Sequence, residues 1–303
     1  MRLLRQQGFP VASLCAALGA SRAGYYAALR QQLNGRQQAD ARLRPQIRAI
    51  FAEHYRRYGA RRIRRELAAR GVRCGVRRVG RLMQAMQLRA IQPRSFRPRT
   101  TDSQHSRGFS PNLLLHAAAP TDINQVWVGD ITYVPLAGGD FLYLALLLDL
   151  FSRRIIGWEL RDDMQESLVL AALRAAIVAR QPRPGLVHHT DRGGQYAGGR
   201  YRQVLQRARM QQSMSRSANC YDNAFMESCF GRLKTELEMT CYDTQLRARR
   251  EVSEYLRYYN TRRRHSALDY LTPEAFEQAR AAAKTSLTKH RQLARNKWNI
   301  KRY

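Results

Sequence analysis

A series of short apolar segments between residues 125 and 215 constrains the fold more than any other feature. The first three cover residues 126–134, 141–150 and 153–160, are rich in β-branched and aromatic residues, and are separated by turn residues. This pattern predicts an antiparallel meander of three strands. A helical pattern over Gln165–Arg180 follows, and then the apolar run Leu186–His189 predicts a fourth strand.

The pattern continues with a helix near residues 198–209, a short strand near 211–215 and a helix that carries Glu227. The order β-β-β-α-β-α-β-α is that of a ribonuclease H-like domain. We therefore predict an α/β fold with a mixed five-stranded sheet and helices, preceded by a basic all-helical region. In that layout Asp130 lies on the central strand and Asp191 at the end of the adjacent strand.

Three carboxylates are candidates for one site: Asp130, Asp191 and Glu227, with 35 residues between the last two. The helix with Glu227 is predicted to pack through one apolar face, made of Phe225, Met226, Cys229, Leu233 and Leu237. Its other face offers Glu227, Asn223 and Lys234. Carboxylates on a buried strand, a strand end and a packed helix can converge on a hard cation. Taken singly, each acid is also explained as a helix cap or salt-bridge partner, and Asp149 and Asp222 are rivals.

The net charge of +30 points to a polyanionic partner, and only five of the 53 basic residues are lysines. Arginine suits bidentate contacts with phosphate. Between residues 1 and 120 the only acids are Asp40, Glu53, Glu66 and Asp102. A solvated arginine face is the alternative to nucleic-acid binding there. The DNA contacts that we predict in this region come from helical arginines: Arg62, Arg65, Arg77, Arg78 and Arg81.

The composition also predicts domain boundaries. Residues 1–40 form a helix-turn-helix-like segment, equally well explained as a plain helical hairpin over 11–30, with a Gln-rich linker over 31–40. Residues 41–91 form a basic helical DNA-binding unit and 92–124 a Pro/Arg linker. Residues 125–278 form the α/β core, and 279–303 a basic C-terminal tail without acids.

The five cysteines lack CxxC spacing, which argues against a zinc site or disulfide framework. No signal peptide is expected, and the longest apolar run, Phe141–Leu148, is too short to span a bilayer. We therefore expect a cytoplasmic, nucleoid-associated protein without a membrane partner.

The motifs of this chain resemble one family: the second-frame (OrfB) transposases of the IS-three insertion-sequence family, within the DDE transposase and retroviral integrase superfamily. The resemblance covers roughly residues 45–278. One departure is Thr190, where the family usually has Ser. The matching segments are Tyr58-Gly59…Arg62-Ile63, Trp127…Asp130-Ile131-Thr132, His189-Thr190-Asp191-Arg192-Gly193-Gly194-Gln195-Tyr196, Asp222-Asn223…Glu227-Ser228…Lys234 and Tyr259-Asn260…Arg263…His265…Leu268…Thr272-Pro273.

The resemblance implies that Asp130, Asp191 and Glu227 are catalytic and hold two Mg²⁺ ions, with Mn²⁺ able to substitute. It implies nicking at transposon ends and joining of the 3′-OH to DNA. Lys234 would contact phosphate, while His189 and Asn223 would orient ligands or DNA, or be structural. The implied partners are double-stranded DNA (terminal inverted repeats and target), a second copy in a synaptic homo-oligomer, and the upstream-frame (OrfA) product.

Two alternatives remain from other classes of protein. One is a non-catalytic regulator that occupies transposon ends, and the other is a ribonuclease H-like nuclease without strand transfer. The three carboxylates argue against the first, and the basic flanking regions argue against the second.

Overall fold

The computed structural model describes residues 1–29, 34–92, 108–216, 224–238 and 241–300, with side chains for all of these except residues 2, 29 and 287–300. The chain forms two compact units, Met1–Ala90 and Ile91–Tyr303. Within the described residues, no helix is both long enough and apolar enough to cross a bilayer.

The first unit is helical. It begins with α1 (Arg2–Gln6), and the helix pair predicted for residues 11–30 is present as α2 (Val11–Ala17) and α3 (Arg22–Leu29). The next three helices are α4 (Gly35–Glu53), α5 (Ala60–Ala69) and α6 (Val76–Ala85). They pack around a shared apolar core, whose fully buried members are Ile47, Ile50, Tyr58, Ile63, Leu67, Val79 and Leu82.

The linker predicted over residues 31–40 is wrong for residues 35–40, which form the first turns of α4. Asn34 caps this helix: its side-chain oxygen accepts the Gln37 N–H at 2.8 Å, and the Gln37 side chain accepts the Asn34 N–H at 2.9 Å. This reciprocal capping box satisfies two amide donors that lack partners at a helix start. The polar composition of residues 35–40 suggested a linker, although most of these residues are good helix formers.

The second unit contains the predicted five-stranded sheet in the order β3-β2-β1-β4-β5. The β1–β2 and β2–β3 pairs are antiparallel, whereas β1–β4 and β4–β5 are parallel. The mixed α/β fold is therefore confirmed, with β1 in the centre. The strands are β1 (Val126–Pro135), β2 (Phe141–Asp149), β3 (Ile155–Arg161), β4 (Val187–Thr190) and β5 (Gln211–Met214).

Helices cover both faces of this sheet. Trp127 and its neighbours pack with α7 (Glu166–Arg180) and α8 (Gly199–Arg207), while Val126, Val128 and Val134 share a core with α9 (Ala224–Glu236) and α10 (Gln245–Thr261). Alternate residues of β1 thus enter different cores, as the pleat requires. A 3₁₀ turn (Ser266–Leu268) leads to α11 (Pro273–Ile300).

The structure corrects two further predictions. Residues 279–300, predicted as a basic tail, continue α11 as a helix. Phe225, predicted on the packed face of its helix, is 46% exposed, and the Arg153 guanidinium lies 4.4 Å from its ring centroid. The apolar face of α9 is instead Met226, Cys229, Phe230 and Leu233. A cation over its ring explains how an aromatic residue at this position stays partly exposed.

Part of the predicted Pro/Arg linker has a fixed place beside β5. The Ser213 hydroxyl accepts the Leu113 N–H at 2.9 Å, and the Pro111 carbonyl accepts the Met214 N–H at 3.3 Å. These contacts cover hydrogen-bonding groups along an edge strand, which would otherwise invite pairing with another chain.

We expect Gly157→Ala to destabilise the second unit. A Cβ at this position in β3 would lie 2.4 Å from the Ala172 carbonyl oxygen and 2.8 Å from the Ala176 Cβ, both on α7. Forcing the helix away from the sheet costs about 1–3 kcal/mol. Gly231→Ala is the control, because the added methyl group would meet nothing within 4 Å on α9. It is expected to be neutral or to stabilise by about 0.5–1 kcal/mol. Urea denaturation of both variants measures the two effects, and equal midpoints would contradict the close approach.

Candidate active site on the central strands

Asp130 lies on the central strand and on the face that α9 covers. It follows Val126 and Val128 at intervals of two, and both valines pack into the α9–α10 core. Its carboxylate accepts the N–H of Ile131 at 2.7 Å, and the residue is half-buried. A carboxylate in this position is set at the edge of an apolar core with part of its surface still open to a ligand.

Asp191 directly follows β4, at the point where that strand ends. Its Oδ1 accepts the Gly193 N–H at 3.0 Å. A Cβ at residue 193 would lie 3.0 Å from the same oxygen and 2.9 Å from the Gln195 Oε1, so a larger residue would require both side chains to shift. The Thr190 carbonyl accepts the Ser215 N–H at 2.9 Å and anchors the end of β4 beside the chain that follows β5.

The sheet brings the two aspartates to the same region of the second unit. The parallel pairing of β1 and β4 ends with Val128 opposite His189; Asp130 lies two residues further along β1, and Asp191 two residues further along the chain, just after β4 ends. Their charges act on a common neighbour: burial raises the pKa of the Tyr196 phenol, and both carboxylates add to the rise. Two half-buried carboxylates on adjacent strands fit a hard divalent cation in donor chemistry. Among the residues that the structure describes, no three His, Cys, Asp or Glu side chains are close enough to hold a metal ion.

The helix α9 brings Lys234, rather than Glu227, to Asp130. Burial lowers the pKa of the half-buried Lys234 ammonium, and the nearby Asp130 carboxylate opposes that effect. Glu227 lies in the first turn of α9 and is exposed. The structure therefore places Lys234 within electrostatic reach of Asp130, and the convergence of Glu227 with the two aspartates stays a prediction.

His189 and Asn223 were the other two residues predicted at this site, and the structure describes only the first. His189 is fully buried, and its Nδ1 lies 2.8 Å from the Ser213 hydroxyl on the neighbouring strand β5. Full burial of the ring favours the structural alternative for His189, and its contact with DNA stays a prediction. Asn223, and the rival carboxylate Asp222, lie outside the residues that the structure describes.

The other rival, Asp149, is structural. It is fully buried at the end of β2 and accepts the N–H groups of Asn124, Phe151 and Ser152 at 2.7, 3.0 and 3.0 Å. Burial raises its pKa, and the hydrogen bonds from Ser152 and Asn124 oppose the rise. A carboxylate that holds the β2–β3 turn in this way has no surface for a ligand.

The predicted DNA-contacting arginines divide into two groups in the first unit. Arg65 and Arg77 are exposed, and Arg62 is half-buried with its guanidinium 5.5 Å from the Tyr58 ring centroid. Arg78 and Arg81 are both bound to Asp40, a residue on α4 that is only 6% exposed. The ion pairs of Asp40 go beyond the sequence prediction, although a single acid among so many arginines is a signal for an internal ion pair.

Known sequence families match each of the two units. The integrase core domain family matches residues 120–220, and a second integrase core family matches residues 208–273. An HTH-like domain family matches residues 37–96.

Full-length relatives are similar over most of the chain. A transposase for insertion sequence element IS904 from Lactococcus lactis subsp. lactis is 42% identical over 78% of this chain and 93% of that protein. Transposase InsF for insertion sequence IS3A from Escherichia coli K12 is 36% identical over 91% of this chain and 97% of that protein. The chain belongs to the IS3 family of insertion-sequence transposases. Another relative, an insertion element IS600 protein of 31 kDa from Shigella sonnei, is 40% identical over 88% of this chain and 97% of that protein.

Among solved structures, the HTLV-2 integrase catalytic core domain in complex with magnesium aligns with 51% of this IS3-family chain and 96% of that one. The TM-score is 0.42 and the sequence identity 16%.

The Asp40 ion pairs give a testable pH dependence. Arg81 and then Arg78 lower the pKa of Asp40 below its ordinary value of 3.8. A carboxyl group whose pKa is depressed by folding stabilises the folded state above its unfolded pKa, and that contribution is lost as the pH falls through the folded pKa. We therefore expect Asp40→Asn to lower the urea midpoint of the helical circular dichroism signal at pH 7.

The same comparison at pH 3 or below supplies the control. There the wild-type carboxyl is protonated in the unfolded chain and increasingly so in the folded one, so the two proteins are expected to converge. Asp140→Asn, an exposed acid in the β1–β2 turn, should change neither midpoint. A difference between wild type and Asp40→Asn that is the same at both pH values would show that charge pairing is not the source.

Proposed function

We propose that this chain nicks the ends of an insertion sequence and joins the resulting 3′-OH to DNA by metal-dependent hydrolysis and transesterification. As a member of the IS3 family it is a transposase of the DDE polynucleotidyl transferase class. The observation that carries the assignment of chemistry to residues is that Asp130 on β1 and Asp191 just after β4 each follow the last parallel pair, Val128 and His189, by two residues, with Lys234 near Asp130.

Integrase core domains depend on divalent metal ions. We propose that Asp130, Asp191 and Glu227 hold two Mg²⁺ ions, for which Mn²⁺ can substitute. Such ions, when bound, lower the pKa of an attacking water and offset charge on the leaving oxygen. The donor set supports this proposal, because all three ligands are carboxylates and two of them, Asp130 and Asp191, are half-buried near the ends of the β1–β4 pairing.

The remaining residues of the site position the DNA and exclude water. Lys234 is suited to a phosphate oxygen next to the scissile bond, since it lies on the same face as Asp130 and keeps its charge partly out of solvent. Asn223 is proposed to orient DNA at the start of the same helix. The Gly193 turn holds Asp191 in a fixed orientation, so its carboxylate needs no rearrangement when a ligand binds.

The first unit is proposed to bind the DNA duplex. Its three described acids are all engaged with basic side chains: Asp40 with Arg78 and Arg81, Glu53 with Arg70, and Glu66 with His54. Arg65 and Arg77 are both exposed, and the unit has far more arginines than acids. We also propose the boundaries 1–40, 41–91, 92–124, 125–278 and 279–303 as functional divisions of the chain; the first of them falls within α4 and the last within α11.

The partners that we propose are the terminal inverted repeats, the target DNA and further copies of the chain. Two ends must be brought together before they are joined, so a synaptic homo-oligomer at the bacterial nucleoid is the expected working form. The upstream-frame OrfA product is a further proposed partner, either fused or added.

Replacing Glu227 tests the chemistry. Glu227→Gln keeps the size of the side chain and removes one carboxylate charge. If Glu227 is a metal ligand, cleavage and joining of labelled element-end DNA in Mg²⁺ should fall by more than the roughly 10- to 100-fold that is typical for residues outside the first coordination shell. DNA binding, measured by mobility shift, should be unchanged.

Glu254→Gln is the matched control, since Glu254 is an exposed acid on α10. If Glu227→Gln cleaves DNA at the wild-type rate, Glu227 is not a metal ligand. If wild type binds but does not cut even with the OrfA product added, the protein is a non-catalytic end-binding regulator. Cutting without joining would favour a nuclease that lacks strand transfer.

The exposed arginines are tested by salt dependence. Each phosphate contact contributes about 0.9 to the slope of log affinity against log salt concentration. We expect Arg65→Ala and Arg77→Ala each to reduce that slope by about one and to weaken binding to all sequences similarly. Arg250→Ala, an exposed arginine on α10 that is paired with Glu254, should leave the slope unchanged. Slopes equal to wild type in both test variants would place the duplex elsewhere.

A further inference from the structure

The segment from Tyr259 to Pro273 contains buried polar side chains that the proposed chemistry does not use. Arg263, just after α10, is only 1% exposed, and Glu236, the last residue of α9, is 8% exposed. A buried charge is costly unless it is paired and hydrogen-bonded. Such a pair at the end of the helix that carries Lys234 and Glu227 calls for a physical explanation.

The two side chains form a multiply bonded pair. The Arg263 Nε donates to both Glu236 oxygens at 3.0 and 2.8 Å, and its Nη2 donates to Oε1 at 2.5 Å. The Tyr255 hydroxyl, from α10, donates to Oε2 at 3.2 Å. Two nitrogens of a planar guanidinium on one carboxylate fix direction as well as distance.

Aromatic rings hold the arginine in turn. The Arg263 guanidinium lies 5.7 Å from the centroid of the buried Tyr259 ring, and the His265 ring packs edge-on against Tyr259 with centroids 4.5 Å apart. Asn260 ties this segment to the sheet, because its side chain accepts the Ile155 N–H at 2.9 Å and donates to the Ile155 carbonyl at 2.8 Å. The guanidinium is thus fixed relative to β3.

The buried face of α9 is otherwise mainly apolar in the part of the chain that the structure describes. It consists of Met226, Cys229, Phe230 and Leu233, and apolar contacts are not directional. A hydrogen bond between Cys229 and the Tyr259 hydroxyl is a weaker directional contact between α9 and α10. A buried ion pair gives little net stability over apolar residues of similar volume. What Arg263 and Glu236 add is therefore a defined axial and rotational position for the helix.

That position matters for the site because Glu236, Lys234 and Glu227 belong to one continuous helix. Glu236 lies two residues beyond Lys234 and nine beyond Glu227, and each residue along a helix advances 1.5 Å and turns 100°. A slip at Glu236 would move both side chains relative to Asp130.

We propose that Arg263 is a positioning residue: by binding Glu236 it fixes the place of α9 from which Lys234 and Glu227 reach the two aspartates. The proposal rests on the proposed function for the role of those aspartates. Its geometric part, the fixing of Lys234 beside Asp130, holds without it.

The test replaces the pair by apolar residues in the full-length protein. Arg263→Met combined with Glu236→Met leaves no unpaired buried charge, so the fold should survive. Arg250→Met combined with Glu254→Met is the control, because it removes an exposed pair whose atoms are 3.0 Å apart on the surface of α10. Circular dichroism melts establish that each variant is folded.

Two readouts follow. Acylation of lysines, read by mass spectrometry, reports the position of Lys234 without any need for activity, and the chain has only four other lysines, which serve as internal references. We expect the acylation rate of Lys234 to rise or fall by about threefold or more, which is equivalent to a change of about half a pKa unit. The reason is that displacement of Lys234 from the site changes both the access of the reagent and the pKa of the amine. Cleavage of element-end DNA should fall about 10- to 100-fold, as a small misplacement of catalytic groups can cost this much.

An unchanged Lys234 rate in a folded double-methionine variant overturns the proposal, whatever the cleavage rate. If wild type does not cleave at all, the proposed function fails, but lysine acylation still decides the role of Arg263. Should the double variant not fold, Glu236→Asp is used instead. It keeps the charge and shortens the reach by one methylene, and an unchanged Lys234 rate in that variant overturns the proposal equally.

Discussion

The pairing of β1 on both of its edges is the constraint on which the rest of the second unit depends. Its antiparallel ladder with β2 runs from Trp127 to Pro135, whereas its parallel ladder with β4 covers only Val126–Val128. Beyond Val128, one side of β1 is therefore still paired while the other has reached the end of its partner. Asp130 sits at this step, and Asp191 sits where β4 gives way to a loop. A carboxylate needs such a place, because on a fully paired central strand it would be desolvated without a partner.

Buried polar groups also hold the ends of other helices and strands in the second unit. Arg180, at the end of α7, donates to Glu277 on α11 at 2.8 Å and to the Asn124 side chain at 3.0 Å, and Asp149 accepts the Asn124 N–H. Hydrogen bonds from Arg180 and other residues lower the pKa of Glu277, although burial alone would raise it. Since the gain in net stability from such networks is small, their main effect is to define where each element ends. The Arg263–Glu236 pair follows the same rule at the end of α9.

The sequence predicted the sheet well because its strands are apolar runs with glycine or polar turns between them, and because their order leaves few topologies. It also located Asp130 and Asp191, since each stands at a recognisable place along a strand. The position of α9 was harder. Its periodicity allows Phe225 or Phe230 on the packed face, and the choice depends on Arg153, which is distant in sequence. The start of α4 was missed for a related reason: Asn34 and Gln37 are ordinary polar residues until they cap a helix.

The distribution of acids explains how a chain with a net charge of +30 can fold at all. In the described part of the first unit, Asp40, Glu53 and Glu66 each contact a basic side chain, and the Asp40 pairs join α4 to α6. In the second unit, Glu236 and Glu277 bind arginines inside the fold. An acid that is paired with one arginine is not available to offset another, so these pairs leave most of the remaining arginines to interact with a polyanion. The same arginine-rich composition therefore serves folding and DNA binding, because arginines paired with acids order the fold while the surplus of arginine gives the protein its positive charge.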